Sequence, residues 1–286
     1  MWIYLNDAFV QRDKAVVSVF DHGFLYGDGV YETLRAYNGR IFMLSQHLAR
    51  LQRSGSLIGL EIPIPEKDWP ALLDEAILRN GLTDAYLRIT VSRGEGAIGL
   101  DPSLCRRPTV VIVAMPFQPY PSDQFREGVK LTIAHVRRNL ATALSPQIKS
   151  LNFLNNILAK QEALQVGAFD ALMLNAEGHL TECTTSNLFF VRTGCLCTPS
   201  VACGILDGIT REVVLLLARE QGIPAEEGVY EAEALRQAEE CFLTNTSMEI
   251  MPACQINNLP VGSGRPGSLT TRLQDHFRSN LARFLG

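Results

Sequence analysis

The stretch Ile148-Lys-Ser-Leu-Asn-Phe-Leu-Asn-Asn-Ile-Leu-Ala-Lys-Gln-Glu-Ala163 decides how this chain of 286 residues is read. It follows a turn-like Pro146-Gln147. It then runs into a segment whose apolar residues Leu154, Ile157, Leu158 and Leu164 predict a helix over 151–166. Lys149 therefore stands between a turn and a helix start. A lysine amine placed among apolar groups holds its proton less firmly and can form a Schiff base with an aldehyde. Taken alone, the residue is more simply a solvated lysine beside a helix cap.

Working outward, residues 129–136 read as a strand. Before them Pro116-Phe-Gln-Pro-Tyr-Pro-Ser-Asp123 carries three prolines, which stop both helices and central strands. A boundary there predicts domains over 1–120 and 121–286, with Lys149 in the second. In the first, 1–6 is a short strand, and 30–37 with 40–43 flank Asn38-Gly39, a tight-hairpin signal. Ser45 can cap a following helix whose Leu48, Leu51 and Ile58 share a face. A second helix over 66–80 ends at Gly81. Strands follow over 85–93 and 108–115, joined by the glycine-rich loop 94–99. In the second, strands over 170–175 and 187–192 lie about an Ala176-Glu-Gly178 turn. Helices follow over 210–221, ended by Gly222, and over 269–284. Strands and helices mix in both halves, which predicts an α+β fold of two domains.

Composition narrows the function classes. Hydrophobic residues make up 47% and charged ones 20%, which excludes a disordered chain. A net charge of −4 argues against a nucleic-acid partner held by a basic field. The longest apolar runs, such as 110–115, fall far short of the roughly 20 residues of a membrane helix. The opening MWIYLNDAF lacks a basic region followed by a long apolar core, so a cytoplasmic protein is expected. Seven cysteines, an odd number, fit reduced thiols there. Cys195-Leu-Cys197, with Cys203 nearby, has no close histidine and no usual zinc spacing. These thiols read as small core residues, and no metal is expected.

Two further motifs can carry chemistry. Glu182, in Gly178-His-Leu-Thr-Glu-Cys-Thr-Thr-Ser-Asn187, lies in a polar bend between two apolar strands. Its carboxylate could pair with a protonated ring nitrogen, or be an exposed turn glutamate. Ser186 and Asn187 could hold it or simply make the turn. In Gly204-Ile-Leu-Asp-Gly-Ile-Thr-Arg211 a glycine leads into a helix, whose free N–H groups and dipole suit an anion. Thr210 would add a hydroxyl, or merely cap the helix. This is no Walker loop, and Gly27-Asp-Gly29 is too short for a dinucleotide fingerprint.

In this order the motifs resemble the class IV aminotransferases, the pyridoxal-phosphate enzymes of fold type IV. The likeness covers nearly the whole chain. It starts at Asp21-His-Gly-Phe-Leu-Tyr-Gly-Asp-Gly-Val-Tyr-Glu32, continues through His47-Leu-Ala-Arg50-Leu and Tyr86-Leu-Arg88, and ends at Leu243-Thr-Asn-Thr-Ser-Met-Glu-Ile250. The run 148–163 is its most specific piece. The resemblance implies two mixed domains with pyridoxal 5'-phosphate in the cleft between them. Lys149 matches the Schiff-base and proton-shuttling lysine, and Glu182 the carboxylate paired with the pyridine nitrogen. A paired anion keeps the ring protonated and a better electron sink. Arg50 matches the phosphate-binding arginine. Ile209, Thr210 and Thr246 match further phosphate ligands. Tyr31, Thr33, Arg88 and Ser247 fall where family members meet the substrate. Tyr26 resembles a residue reaching a neighbouring subunit's pocket, which implies a homodimer or a multiple of it.

The likeness divides over the reaction. Branched-chain aminotransferases usually have glycine where Thr33 stands, tyrosine near Phe153, and Gly-Thr-Ala-Ala in place of Asn245-Thr-Ser-Met. Phe153 cannot donate to the cofactor's phenolate oxygen. Thr33 and Thr244-Asn-x-x-x-Glu-Ile250 look more like aminodeoxychorismate lyases. The expected activity is amino transfer between a branched-chain-like amino acid and a 2-oxo acid such as 2-oxoglutarate. Aminodeoxychorismate lyase is the alternative, and D-amino-acid transamination comes third.

Overall fold

A computed structural model describes residues 1–286, and the chain falls into two units. The first is Met1–Gln118 with Ile148–Asn152 and Phe284–Gly286; the second is Pro119–Gln147 with Phe153–Arg283.

The first unit contains β1 (Trp2–Leu5), β2 (Ala8–Gln11), α1 (His22–Tyr26), β3 (Gly29–Tyr37), β4 (Arg40–Ile41), α2 (Leu44–Leu57), α3 (Trp69–Arg79), β5 (Ala85–Ser92) and β6 (Thr109–Pro116). Its strands form one antiparallel sheet in the order β2-β1-β6-β5-β3-β4. Alternation along the pleat gives the sheet two different faces. Val30, Leu34 and Ala36 of β3 join Leu87, Ile89 and Ile112 in a core that Leu48, Leu51, Trp69 and Leu73 of the helices complete. Tyr31, Thr33, Arg35, Tyr86, Arg88 and Thr90 lie half-buried on the other face. The β3–β4 hairpin turns at Asn38 and Gly39, with φ of 49° and 78°. That pair of left-handed residues matches the strands' twist.

Two expectations need correction here. Ser45 does not cap α2: the helix starts at Leu44, and its N-cap is Met43, at φ 49°. The chain's tail fixes that backbone, since the Met43 N–H donates to Phe284 O at 2.8 Å. Lys149, expected in the second domain, belongs to the first unit. The Tyr31 N–H donates to Lys149 O and the Leu151 N–H to Gly29 O, both at 2.9 Å, while the Lys149 N–H donates to Ser54 Oγ at 3.2 Å. These bonds lay 148–152 along β3.

The second unit contains α4 (Ser122–Glu127), β7 (Val129–Ile133), α5 (Leu154–Gln165), β8 (Asp170–Leu174), β9 (Leu180–Cys183), β10 (Asn187–Arg192), β11 (Cys195–Pro199), α6 (Ile209–Glu220), β12 (Ala225–Gly228), β13 (Glu240–Asn245), β14 (Glu249–Ile256), β15 (Leu259–Pro260) and α7 (Ser268–Asn280). Its sheet runs β12-β11-β10-β13-β14-β7-β8-β9, and β9 also pairs with β10 at Glu182↔Asn187. Strands β10, β13, β14, β7, β8 and β9 thus close into a ring, which covers the edge of β9 and leaves β12 as the sheet's edge.

Glu182 is therefore not in a bend but inside β9, and it is buried. The polar residues around it had hidden a strand only four residues long. Helix α5 also differs from its apolar pattern. Ala159 and Ala163 are its buried residues, packed with Ala168, Ala171 and Met173. Leu154 and Leu164, by contrast, are 67% and 65% exposed. Small side chains let this helix lie close on β8, and that leaves its leucines outside. All seven cysteines are free, and no helix is long and apolar enough to cross a membrane.

Candidate active site

In the first unit the open sheet face gathers Lys149, Tyr31, Thr33 and Arg88. Thr33 is paired with Arg88 across β3 and β5, and Tyr31 with Thr90. The Arg88 guanidinium carbon lies 4.0 Å from the Tyr31 ring centroid, and Lys149 Nζ lies 4.4 Å from it. Two cations thus share one electron-rich ring, a contact worth about 0.5–2 kcal/mol for each cation. Arg88 Nε donates to Thr90 Oγ1 at 3.3 Å, and Thr33 Oγ1 lies 3.4 Å from the Tyr86 hydroxyl. A guanidinium beside an amine is an arrangement that can take a carboxylate next to an amine-handling centre. Tyr26 is placed otherwise: its hydroxyl accepts the Gly99 N–H at 3.2 Å, and its ring meets His22 edge-on.

Arg50, named from the sequence, is buried on α2, and its partner was missed. Glu32 points to the core face of β3, where Val30 and Leu34 also point. A carboxylate there must be paired. Arg50 Nε donates to Glu32 Oε1 at 2.6 Å and Arg50 Nη2 to Oε2 at 2.8 Å. His47 Nδ1 lies 2.8 Å from the same Oε2. Burial would raise the Glu32 pKa, but the Arg50 charge and its hydrogen bonds, with His47, hold it far below the ordinary carboxylate range. Burial dominates at His47 and lowers its pKa, although Glu32 opposes the shift. The signal was legible: Glu32 occupies an inward position of an alternating strand, and His47 and Arg50 stand one helical turn apart.

In the second unit Glu182 is held on both oxygens. Arg138 reaches Oε1 with Nε at 3.0 Å and Nη2 at 2.9 Å. Oε2 accepts from Leu206 N–H at 3.1 Å and from Asn187 Nδ2 at 3.2 Å. Arg138 was missed, because nothing in Val136-Arg-Arg138-Asn marks one arginine as inward. Helix α6 starts nearby in sequence at Ile209, with Gly208 as an N-cap that makes no side-chain bond. A Cβ on Gly208 would come within 1.9 Å of Asn187 Oδ1, so only glycine fits against that amide. Thr210 sits inside the first turn and does not cap it. Its buried Oγ1 has no protein partner, nor have Ser186 Oγ and Thr244 Oγ1. Thr246 and Ser247 lie in the turn from β13 to β14, where Asn245 Oδ1 accepts the Ser247 N–H at 2.9 Å.

These groups fit pyridoxal phosphate. A phosphate ester takes hydroxyl and helix N-terminal N–H donors, and three buried hydroxyls without partners are otherwise a cost to the fold. A protonated pyridine nitrogen takes a fixed carboxylate, and an aldehyde takes a primary amine.

Comparison with known proteins agrees. Residues 29–256 match the amino-transferase class IV family. The "Putative branched-chain-amino-acid aminotransferase" of Methanocaldococcus jannaschii is 41% identical over 97% of this chain and 96% of its own. The D-alanine aminotransferase of Listeria innocua is 36% identical over 100% and 98%. The aminodeoxychorismate lyase of Bacillus subtilis is 34% identical over 99% and 96%. Among solved structures, the branched-chain aminotransferase of Thermoproteus uzoniensis with norvaline superposes with a TM-score of 0.93. It is 32% identical, with 100% of this chain and 98% of that one covered. Another branched-chain amino acid aminotransferase, 30% identical and with a TM-score of 0.94, was solved with pyridoxamine 5'-phosphate. The fold is that of the type IV pyridoxal-phosphate enzymes. The chain belongs to the class IV aminotransferases and is a pyridoxal-phosphate-dependent enzyme.

Proposed function

We propose that this enzyme moves an amino group between a branched-chain aliphatic amino acid and a 2-oxo acid such as 2-oxoglutarate. The observation that carries this reading is the pair of cations over Tyr31: an amine for the reacting centre and a guanidinium for a substrate carboxylate. The likeness to branched-chain enzymes supports the choice of side chain.

Pyridoxal phosphate, when bound, supplies an aldehyde and an electron-withdrawing ring. Lys149 Nζ would hold that aldehyde, and its amine would carry the proton of the substrate's α-carbon. Glu182 keeps a proton on the ring nitrogen. Arg50, the α6 N-terminus with Ile209 and Thr210, and Thr246 hold the phosphate. Arg88 and Tyr31 orient the substrate carboxylate, with Thr33 and Ser247 beside the substrate.

A homodimer is the expected assembly. The apolar face that α5 leaves exposed, and the exposed Phe24, Ile98 and Leu100 of the first unit, suit burial by a second copy. The free thiols fit a reducing cytoplasm. The second reading, 4-amino-4-deoxychorismate lyase, draws on the Thr33 hydroxyl beside Tyr86 and on the Bacillus subtilis relative.

The test is to incubate the holoenzyme separately with L-leucine, D-alanine and aminodeoxychorismate and follow the cofactor's absorbance. L-leucine should convert it to the amine form. Conversion by D-alanine alone, or pyruvate release from aminodeoxychorismate without any conversion, would replace this reading by the corresponding alternative. Borohydride should fix the cofactor to the peptide containing Lys149, and labelling of another lysine instead would remove Lys149 from its role.

A further inference from the structure

Glu182 is a carboxylate whose two oxygens are treated differently. Oε1 is taken by the Nε–Nη2 edge of Arg138, at 3.0 and 2.9 Å, with both side chains more than nine-tenths buried. Oε2 receives neutral donors, the Leu206 N–H and the Asn187 amide, at the longer distances of 3.1 and 3.2 Å. Both oxygens accept charge-assisted bonds, but Oε1 faces a full cation at shorter distances, so Oε2 is the more weakly held oxygen.

Arg138 is itself held from two further sides. Its backbone N–H donates to Leu174 O at the end of β8, at 2.8 Å. Its Nη1 donates to Asn155 Oδ1 at 3.3 Å, and Asn155 Nδ2 returns a bond to Arg137 O at 2.7 Å. These bonds fix the backbone at Arg138 and give its guanidinium an anchor other than Glu182, so the carboxylate is held against an anchored partner.

We infer that Arg138 is a positioning residue that keeps Glu182 anionic and turned so that Oε2 serves the cofactor's ring nitrogen. This rests on the proposed pairing of Glu182 with that nitrogen. The chemistry is a matter of which group keeps the proton. A buried carboxylate without a cation takes up a proton, and a neutral carboxylic acid cannot hold one on a pyridine nitrogen. Arginine stays charged at any working pH, so its presence decides the matter in favour of the anion. Asn187 and Leu206 supply dipoles but no charge, a weaker bias toward the anion than the guanidinium gives.

The experiment uses holoenzyme loaded with cofactor labelled with ¹⁵N in the ring, for wild type, Arg138→Met, Arg138→Lys and Glu182→Gln. The ¹⁵N chemical shift reports ring protonation, which a merely structural arginine would not move in a folded protein. Glu182→Gln should shift the signal to the unprotonated range. Arg138→Met should shift it the same way and lower kcat about tenfold or more, with KM for the amino acid within about threefold. Arg138→Lys keeps the charge but loses the two-pronged grip, so it should restore the protonated signal and most of kcat. Should Arg138→Met fail to fold, the lysine variant carries the test through a pH titration of the ¹⁵N signal. Its midpoint should fall below that of wild type. A protonated ring in folded Arg138→Met, or an unchanged midpoint in Arg138→Lys, overturns the inference while leaving Glu182 in place. A protonated ring in Glu182→Gln overturns the pairing itself.

Discussion

The two units each bury a carboxylate against an arginine, and the two pairs are built in opposite senses. In the first, Glu32 stands on the core face of β3 and grips Arg50, with His47 on one oxygen. Arg50 is the member expected to meet the cofactor, so the carboxylate is the support. In the second, Arg138 grips Glu182, and the carboxylate is the member expected to meet the ring. A support of either charge must be paired, because an unpaired buried ion costs several kcal/mol. On the proposed roles, what differs is the sign of charge offered to the ligand: positive toward a phosphate, negative toward a pyridinium.

Neutralising each carboxylate should therefore produce different failures. Glu182→Gln removes the group proposed to meet the ring, and it also leaves Arg138 buried without its anion, so some stability is lost here too. Turnover should fall by about 10²–10³-fold, the scale of losing one fixed electrostatic contact to the reacting system, with cofactor retention within a few-fold. Glu32→Gln removes a support. It leaves the Arg50 charge buried without its anion, and the protein should lose about 3 kcal/mol of stability, read by urea unfolding. Cofactor should also dissociate at least tenfold more readily on dilution, because Arg50 is no longer held. Equal losses of turnover and cofactor affinity in both variants would abolish the distinction.

Acid provides a milder perturbation of the first cluster. His47 is buried with its pKa below the ordinary 6.5, so the unfolded chain takes up that proton first as pH falls. Stability is then complete above the unfolded value and declines below it. Glu32 acts in the same direction at lower pH. Its folded pKa is depressed, so the stability it confers is present above the unfolded value near 4.5 and is lost as pH falls toward the folded one. Between pH 7 and 5 only the His47 proton counts, with a slope no steeper than about 1.4 kcal/mol per pH unit. His47→Asn should flatten that segment of a stability–pH curve, and Glu32→Gln the segment below it. A curve flat from pH 7 to 5 in the unaltered protein would show that His47 is not buried neutral.

The two clusters also differ in how much of them the sequence revealed. The hairpin at Asn38-Gly39 and the helix ends at Gly81 and Gly222 were legible, because turn chemistry is local. Lys149, Glu182 and Arg50 were visible only as members of a familiar order of motifs. Glu32 could have been found from alternation alone, as a charge at an inward position. Arg138 could not, since its neighbour Arg137 is chemically identical and exposed. The face of α5 was misread for a related reason. Apolar periodicity says that a helix buries something, but close packing on β8 selected Ala159 and Ala163, and the larger side chains went outward.

The smallest expected effect comes from the residue beside Glu32 in sequence. Thr33 points to the opposite face of β3, half-buried, with its hydroxyl 3.4 Å from that of Tyr86. Thr33→Val keeps the shape and removes only that hydroxyl. It should leave both stability and cofactor retention near the wild-type values, in contrast with Glu32→Gln one position away. The half-reaction with L-leucine should change by no more than a few-fold, since amino transfer asks nothing of a hydroxyl there. Elimination of pyruvate makes a different demand, because the departing oxygen needs a proton donor. If aminodeoxychorismate is the true substrate, the same substitution should slow pyruvate release by about tenfold or more. Measuring both rates on one preparation of Thr33→Val thus tests the two faces of β3 and the two candidate reactions together. A large loss of cofactor in this variant would mean that the division of labour between the faces is wrong.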